Sequence, residues 1–482
     1  MDDKDSECNS ECGYDCEHNR DPDSESVMND AEPFETFQTR VHALASKVIW
    51  PDAAPEEITV DRMQEGGYNR IIGITYTPAD GTGQPAEQRV LRMPWWKDQE
   101  DGFNKGLAQL VFLKQYPKIC TPEVLSFDKT SVNALGFPYT LQNRVPGVSL
   151  QARMAEPPEN FGGKNTHEQW VQLAQEMGSA VKELLSTHSS VAGTLTLSPD
   201  NTMTVIPFPY RKEPSEQHPY DSSSRPTKWI EELLTDVFNE QRRVEIENEP
   251  SLVDEPMMHP HFIRMVSEMV EMGFLTDNIP NALCHMDFYP RNILVDPSTL
   301  KLNAILDWDS AVFAPAFLAA RPPTWLWNHE LDKEDLEEHD GYFPNPESNE
   351  PYDPFEPTTE KGQEIKETFE RYAGEEYMKY AYEPGYRLAR RLVRFAMKPI
   401  GSEQELYEAQ GMVNEWNTLC AKLTVMAEDS DEVIPMLVSV IERSWEDDES
   451  HERAMRRNEE PESDGGLWKK MAGLWRGVFQ VG

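Results

Sequence analysis

Residues 283–309 read LCHMDFYPRNILVDPSTLKLNAILDWD and hold His285, Asp287 and Asn292 in the pattern H-x-D-x-x-x-x-N, with Asp307 fifteen positions later. Two carboxylates and a neutral amide at this spacing are the set that phosphoryl transfer needs. One carboxylate receives or orients the proton of an acceptor hydroxyl; the second, with the amide, holds Mg²⁺ against nucleotide phosphates. Asp287 suits the first role, and Asn292 and Asp307 the second. His285 reads as a scaffold hydrogen-bonder. The elements that must position these groups are visible around them. Ile293-Leu294-Val295 and Leu302 to Leu306 are short apolar runs joined through the turn residues Asp296-Pro297-Ser298-Thr299. A hairpin there brings Asn292 and Asp307 to one open end.

The chain has 482 residues, enough for two or three domains at about 150 residues each. Its 86 acidic and 45 basic residues give a formal charge of −41. Such a field repels nucleic acid and anionic membranes and favours cationic partners. Any nucleotide site must therefore build a local positive patch. Six cysteines are too few for a disulfide framework. Cys8, Cys12 and Cys16, with His18, sit in an acidic tail; their spacing is a weak soft-metal signal and an equally ordinary tail composition. No apolar run approaches the about 20 residues of a membrane span. The acidic N-terminus has no h-region, so the expected setting is reducing and cytoplasmic.

Residues 1–32 carry twelve acids and two bases and read as a disordered acidic tail. Phe34, Phe37, Val41, Leu44 and Val48 predict an amphipathic helix to about Trp50. Strands are predicted at 58–60, 71–76 and 89–93, with Gly66-Gly67-Tyr68-Asn69-Arg70 as a glycine turn between the first two. Backbone N–H groups of such a turn can face phosphates, although a plain hairpin has the same signature. It is not a Walker A loop, because no Gly-Lys-Ser/Thr follows. A helix to about Tyr116 and strands at 124–127 and 139–141 come next. Gln142, Asn143 and Arg144, at the start of a connector ending in Val145-Pro146-Gly147, stand where a hinge would offer polar groups to an adenine edge; an ordinary interdomain linker reads the same way. Trp170, Leu173, Met177, Val181 and Leu184 form a helical apolar stripe. Residues 198–226 read as a loop, 229–238 and 262–274 as helices, 329–361 as an irregular acidic insertion, and 362–382, 385–397, 403–425 and 430–445 as long helices. Near the end Leu467, Trp468, Met471, Leu474, Trp475 and Val478 share one helical face. That helix either docks on its own domain or meets a partner or a membrane surface.

Together these residues resemble the aminoglycoside phosphotransferase-like kinase family, in particular its many fungal members. The matching stretches are Gly66–Arg70, Val90-Leu91-Arg92-Met93-Pro94, Phe137-Pro138-Tyr139, Arg144-Val145-Pro146-Gly147, Leu283 to Trp308 and Arg387–Leu392. The resemblance implies an α+β, protein-kinase-like, two-lobed fold, with a small antiparallel-sheet lobe over 33–143 and a larger, mainly helical lobe over 144–447. The segment 448–482 is then a charged linker and C-terminal helix. It implies ATP and Mg²⁺, with Asp287 as catalytic base and Asn292 and Asp307 as metal ligands. Gly66, Gly67, Tyr68 and Asn69 would cover the phosphates. Arg92 takes the place of the family's third-strand lysine. The glutamate expected to pair with that cation falls on Gly106, which leaves Arg92 without its usual anion. The reading that follows is a small-molecule kinase acting on a hydroxyl of a cationic acceptor. The alternative is a nucleotide-binding pseudokinase or interaction module, supported by Gly106 and opposed by the intact Asp287, Asn292 and Asp307. A protein kinase fits less well: Tyr289 stands where its catalytic-loop lysine would be, and no activation segment follows Asp307.

Overall fold

Phe37, Val41 and Leu44 recur at helical spacing and are fully buried on one face of helix α1 (Phe34–Leu44), which closes in a π turn over Ala45–Ile49. The face needs a partner, and an antiparallel sheet supplies it. In the computed structural model, which describes residues 32–63, 69–79, 85–95, 100–155, 160, 163, 165–207, 230–248, 257–328 and 356–428, the sheet is built from β1 (Ile58–Arg62), β2 (Asn69–Tyr76), β3 (Glu87–Pro94), β4 (Val124–Asp128) and β5 (Tyr139–Asn143), in the order β1-β2-β3-β5-β4. Helix α2 (Glu100–Leu113) lies between β3 and β4 in the chain.

Strand alternation sorts the two faces of this sheet. Ile72, Ile74, Leu91, Met93, Tyr139 and Leu141 join the residues of α1 in one buried apolar cluster. The register Ile71↔Arg92 and Gly73↔Val90, with Arg92↔Thr140 and Val90↔Gln142, then puts Asn69, Ile71, Gly73, Val90, Arg92, Thr140 and Gln142 on the opposite face. Arg70, on the α1 side, lies over the Phe37 ring at 4.5 Å.

A second and larger core is mainly helical. The chain continues through β6 (Val148–Ser149), α3 (Leu150–Ala155), α4 (His167–Leu185), β7 (Gly193–Leu197), β8 (Met203–Pro207), α5 (Ile230–Asn248), α6 (His259–Glu271) and β9 (Asn281–Cys284). It goes on to β10 (Ile293–Val295), β11 (Leu302–Ile305), β12 (Val312–Pro315), the single turns α7 (Ala316–Ala319) and α8 (Thr324–Trp327), and α9 (Glu360–Ala373), α10 (Glu375–Tyr382), α11 (Pro384–Met397) and α12 (Glu403–Glu428). This is an α+β, protein-kinase-like fold, a small antiparallel-sheet lobe followed by a larger helical one. Helix α2 is fused to the second core. Its Phe103, Leu107, Leu110 and Leu113 pack there, and buried Gln109 Nε2 donates to the Ala311 carbonyl at 2.7 Å.

Several elements differ from expectation for identifiable reasons. The stretch predicted as a loop from 198 begins with a hairpin, because β7 and β8 pair from Gly193↔Pro207 to Leu197↔Met203. The helix expected over 362–382 breaks at Gly374, whose φ of 87° is open to glycine at little cost. The acidic tail through 31, the glycine turn at Gly66, Gly67 and Tyr68, most of the acidic insertion (329–355), the helix at 430–445 and the C-terminal helix lie outside the described residues. Among the described residues, no helix is long and apolar enough to cross a membrane.

Helix α4 begins at a capping box, in which Thr166 Oγ1 accepts from Gln169 N and Gln169 Oε1 accepts from Thr166 N at 2.9 Å. It then buries Trp170, Leu173, Met177, Val181 and Leu184. Gly178 lets α9 come close: a Cβ there would lie 2.5 Å from the Phe369 carbonyl oxygen and 3.0 Å from Tyr372 Cβ. Gly178→Ala gains about 1 kcal/mol of helix propensity. It must also displace backbone, which costs more than a side-chain rearrangement, and overpacking of this kind costs about 1–3 kcal/mol. The expected result is a lower urea midpoint. Gly102→Ala, in α2 with nothing within 4 Å of its added Cβ, is expected to raise it. A Gly178→Ala midpoint at or above the parent's would contradict the close packing.

Candidate active site

The hairpin of β10 and β11 pairs Ile293 with Ile305, and Leu306 N donates to the Asn292 carbonyl at 2.7 Å. Asn292 and Asp307 therefore flank the same open end. Buried Asn292 sends Nδ2 to both the carbonyl oxygen (2.9 Å) and Oδ2 (2.7 Å) of Asp287. Its side-chain nitrogen is thus committed to the loop, and its carbonyl oxygen is the atom left to face a cation. His285 holds the loop from behind. Its Nε2 lies 2.7 Å from the Leu306 carbonyl, and its Nδ1 accepts from Asp287 N at 3.1 Å. With Nδ1 accepting, Nε2 carries the hydrogen in a neutral ring. Burial pushes the His285 pKa down and favours that neutral form. The scaffold role expected of His285 is the one its contacts describe.

Asp307, Trp308 and Asp309 form a short turn that splits inward from outward. Trp308 is buried, with its indole N–H on the Ile305 carbonyl at 2.9 Å and its ring 4.5 Å from that of His285. Asp307 adopts a left-handed conformation, φ 59° and ψ 60°, which aspartate tolerates better than most residues. The buried Trp308 between them leaves both aspartates directed at Arg92. Nη1 of Arg92 donates to Asp309 Oδ1 at 2.8 Å, and its Nη2 reaches both Asp309 Oδ2 and, at 3.5 Å, Asp307 Oδ1. Asn69 Nδ2 donates to Asp309 Oδ2 at 2.9 Å. Arg92 thus has an anion, supplied by Asp309 in place of the helix acid whose position is Gly106.

Burial raises the Asp307 pKa; Arg92 lowers it, and the neighbouring carboxylates of Asp309 and Asp287 raise it. A pair of all-oxygen ligands, one carboxylate and one amide carbonyl, is a chemical fit to a hard divalent cation that also draws ligands from phosphate and water. Among the described residues no group of three or more His, Cys, Asp or Glu is placed to hold a metal ion.

The other expected contacts divide. Asn69 and Arg92 come together with the aspartates. Gln142 lies on the same sheet face, its Nε2 on Thr140 Oγ1 at 3.1 Å. Asn143 is the last residue of β5, not part of a connector, and alternation turns it to the other face, where Oδ1 accepts from Glu123 N at 2.5 Å. The amides of Asn143 and Arg144 are spent on the Glu123 carbonyl (3.1 Å) and the Gln88 carbonyl (3.3 Å). Neither backbone N–H is free for an adenine edge. Gly66, Gly67 and Tyr68 lie outside the described residues.

Residues 107–319 match the model of the phosphotransferase enzyme family, APH. Over that segment the chain is aminoglycoside phosphotransferase-like. No curated protein sequence matches it. Among solved structures, the chain is similar to an APH(2")-IIia complex with GDP and kanamycin (15% identity, 78% of this chain and 97% of that one, TM-score 0.37). It is also similar to the ADP-bound aminoglycoside phosphotransferase APH(2'')-Ib (11%, 78% and 97%, 0.41) and to a choline kinase from Cryptosporidium parvum (10%, 80% and 97%, 0.39).

Two residues of the phosphotransferase-like site escaped the sequence reading. Asp309 repeats the acid two positions after Asp307 across a single Trp, a pattern that signals two outward carboxylates around one inward ring. Arg291, immediately before Asn292, contacts Asp287 Oδ1 through Nη2 and lies over the Tyr289 ring at 4.7 Å. Arg321 Nη1 donates to the Tyr289 hydroxyl at 2.8 Å. Arg291 puts positive charge beside Asp287 in a chain of net charge −41.

Proposed function

We propose that the chain is a small-molecule kinase that moves the γ-phosphate of ATP onto a hydroxyl of a cationic acceptor. The observation that carries this is the convergence of Asp287, Asn292 and Asp307 at one hairpin end, with Arg92 reaching across from the sheet. Asp287 takes the proton of the acceptor hydroxyl, whose oxygen bonds to the γ-phosphorus as the bond to the β-phosphate oxygen breaks and ADP leaves. Asn292 fixes the carboxylate through Nδ2. Arg291, on the other carboxylate oxygen and half-exposed, releases that oxygen as substrate enters. Mg²⁺ would be held by the Asn292 carbonyl and the Asp307 carboxylate and would neutralise phosphate charge. Arg92, its fork held by Asp309, would turn its remaining N–H donors and its charge to phosphate oxygens. Ile71, Val90 and Thr140, on the sheet face opposite α1, would line the nucleotide base. Residues 33–143 and 144–447 would act as the two lobes of the cleft.

The excess of acid over base suits an amino sugar or amino alcohol better than an anionic acceptor. The pseudokinase reading drew on Gly106, and the Arg92–Asp309 pair removes that support. The test is Mg²⁺-dependent ADP release from ATP across a panel of amino sugars, amino alcohols and neutral polyols. Turnover confined to cationic members is the expected result. Nucleotide binding with no turnover on any member would count against a kinase.

A further inference from the structure

Helix α2 carries a glycine where a kinase of this fold would carry the acid that anchors the third-strand cation, and the space above that glycine is already filled. A Cβ on Gly106 would lie 2.3 Å from Asp309 Oδ1 and 3.1 Å from its carboxyl carbon. That same oxygen accepts from Arg92 Nη1 at 2.8 Å, and the second carboxylate oxygen accepts from Arg92 Nη2 and Asn69 Nδ2. No side chain at position 106 and the present placement of Asp309 can coexist. We propose that Asp309 is the positioning residue for Arg92, doing from the Asp-Trp-Asp turn what a helix acid does elsewhere, and that Gly106 is required to leave it room. The proposal rests on the phosphotransferase reading of the site.

Three features make this a built arrangement. The two-pronged contact of Arg92 on one carboxylate fixes the plane of the guanidinium, which a single contact would not. Asn69, two positions from Ile71 on the same face of β2, holds the carboxylate from the other side, so Asp309 ties two sheet strands to the catalytic turn. Helix α2 belongs to the same core as that turn, through Leu107, Leu110, Leu113 and the Gln109 to Ala311 hydrogen bond. The anchor of Arg92 therefore sits on the catalytic body itself and does not depend on a swing of α2. In a kinase that takes its acid from the helix, moving the helix breaks the pair. Here α2 offers a flat surface for the anchor.

Four full-length proteins test this: the parent, Asp309→Ala, Gly106→Glu and the double variant. The readout is the dissociation constant of ADP with Mg²⁺ by calorimetry, with thermal midpoints to confirm folding. Asp309→Ala is expected to weaken binding about tenfold or more, because Arg92 loses its anchor. Gly106→Glu alone is expected to weaken it comparably, since two carboxylates compete for one volume. The double variant returns the anion from the helix and is expected to bind more tightly than either single variant. Additive losses in the double variant would overturn the proposal, since they are what a metal ligand or a merely structural aspartate would give. Asp309→Asn, which keeps one acceptor and the fold but not the charge, must fall with Asp309→Ala; parental affinity in it would also overturn the proposal. A parent that binds no nucleotide would instead sink the kinase reading, so the two failures are distinguishable.

Discussion

Asp287→Asn is expected to lower kcat by about a thousandfold while nucleotide affinity changes by only a few-fold. The asymmetry follows from where Asp287 sits. Its carboxylate is held by Asn292 Nδ2 at 2.7 Å on one oxygen and by Arg291 on the other. An amide of the same shape can keep its oxygen on Asn292 Nδ2 while giving up the Arg291 contact, but it cannot take up the acceptor's proton. The backbone is secured independently by His285 Nδ1 and by Asn292, so the fold survives the change. Steady-state kinetics with the acceptor found in the panel, beside ADP calorimetry, reads both quantities. A fall in kcat of less than tenfold would remove Asp287 from the proton-transfer step.

Asp307→Asn is expected to act on the other quantity and to cost on the order of a hundredfold in Mg²⁺-dependent nucleotide affinity. Asparagine tolerates the left-handed φ of 59° at this position, so the turn is kept and the charge alone is lost. It also removes a charge whose burial, with the neighbouring carboxylates of Asp309 and Asp287, raises the Asp307 pKa. Stability is thus expected to hold or rise while metal-linked binding falls. Titration of ADP with Mg²⁺ or with EDTA separates the two: the variant should bind equally weakly in both. A variant that kept the full Mg²⁺ enhancement would show that another group holds the ion.

The parts of this site legible in the sequence are the parts that are local. Asn292 and Asp307 are joined by a hairpin whose apolar runs and turn lie within one short stretch, so strand periodicity alone brings them together. The stripe from Trp170 to Leu184 is legible for the same reason: one helix, one period. The Arg92–Asp309 pair spans 217 positions, and no pattern within either segment points to the other. Gly106 reads as a missing acid because a sequence records what a side chain lacks and not what fills the space. Asn143 was misplaced for a subtler reason. Alternation fixes a strand's faces only once its end is known, and β5 runs two residues past its apolar run. The β7–β8 hairpin was hidden because its threonines and terminal proline resemble loop composition. The structure adds one physical point to the sequence: the cation on the sheet and the acids of the Asp-Trp-Asp turn form a single charge cluster.

The most direct test of that cluster is a crystal of the protein grown with Mn²⁺ and a non-hydrolysable ATP analogue, located by the anomalous signal of the metal. The expected result is a manganese peak in contact with the Asn292 carbonyl oxygen and the Asp307 carboxylate, with the terminal phosphate between that ion and Asp287. A nucleotide bound elsewhere, or a metal that touches neither Asn292 nor Asp307, would contradict it.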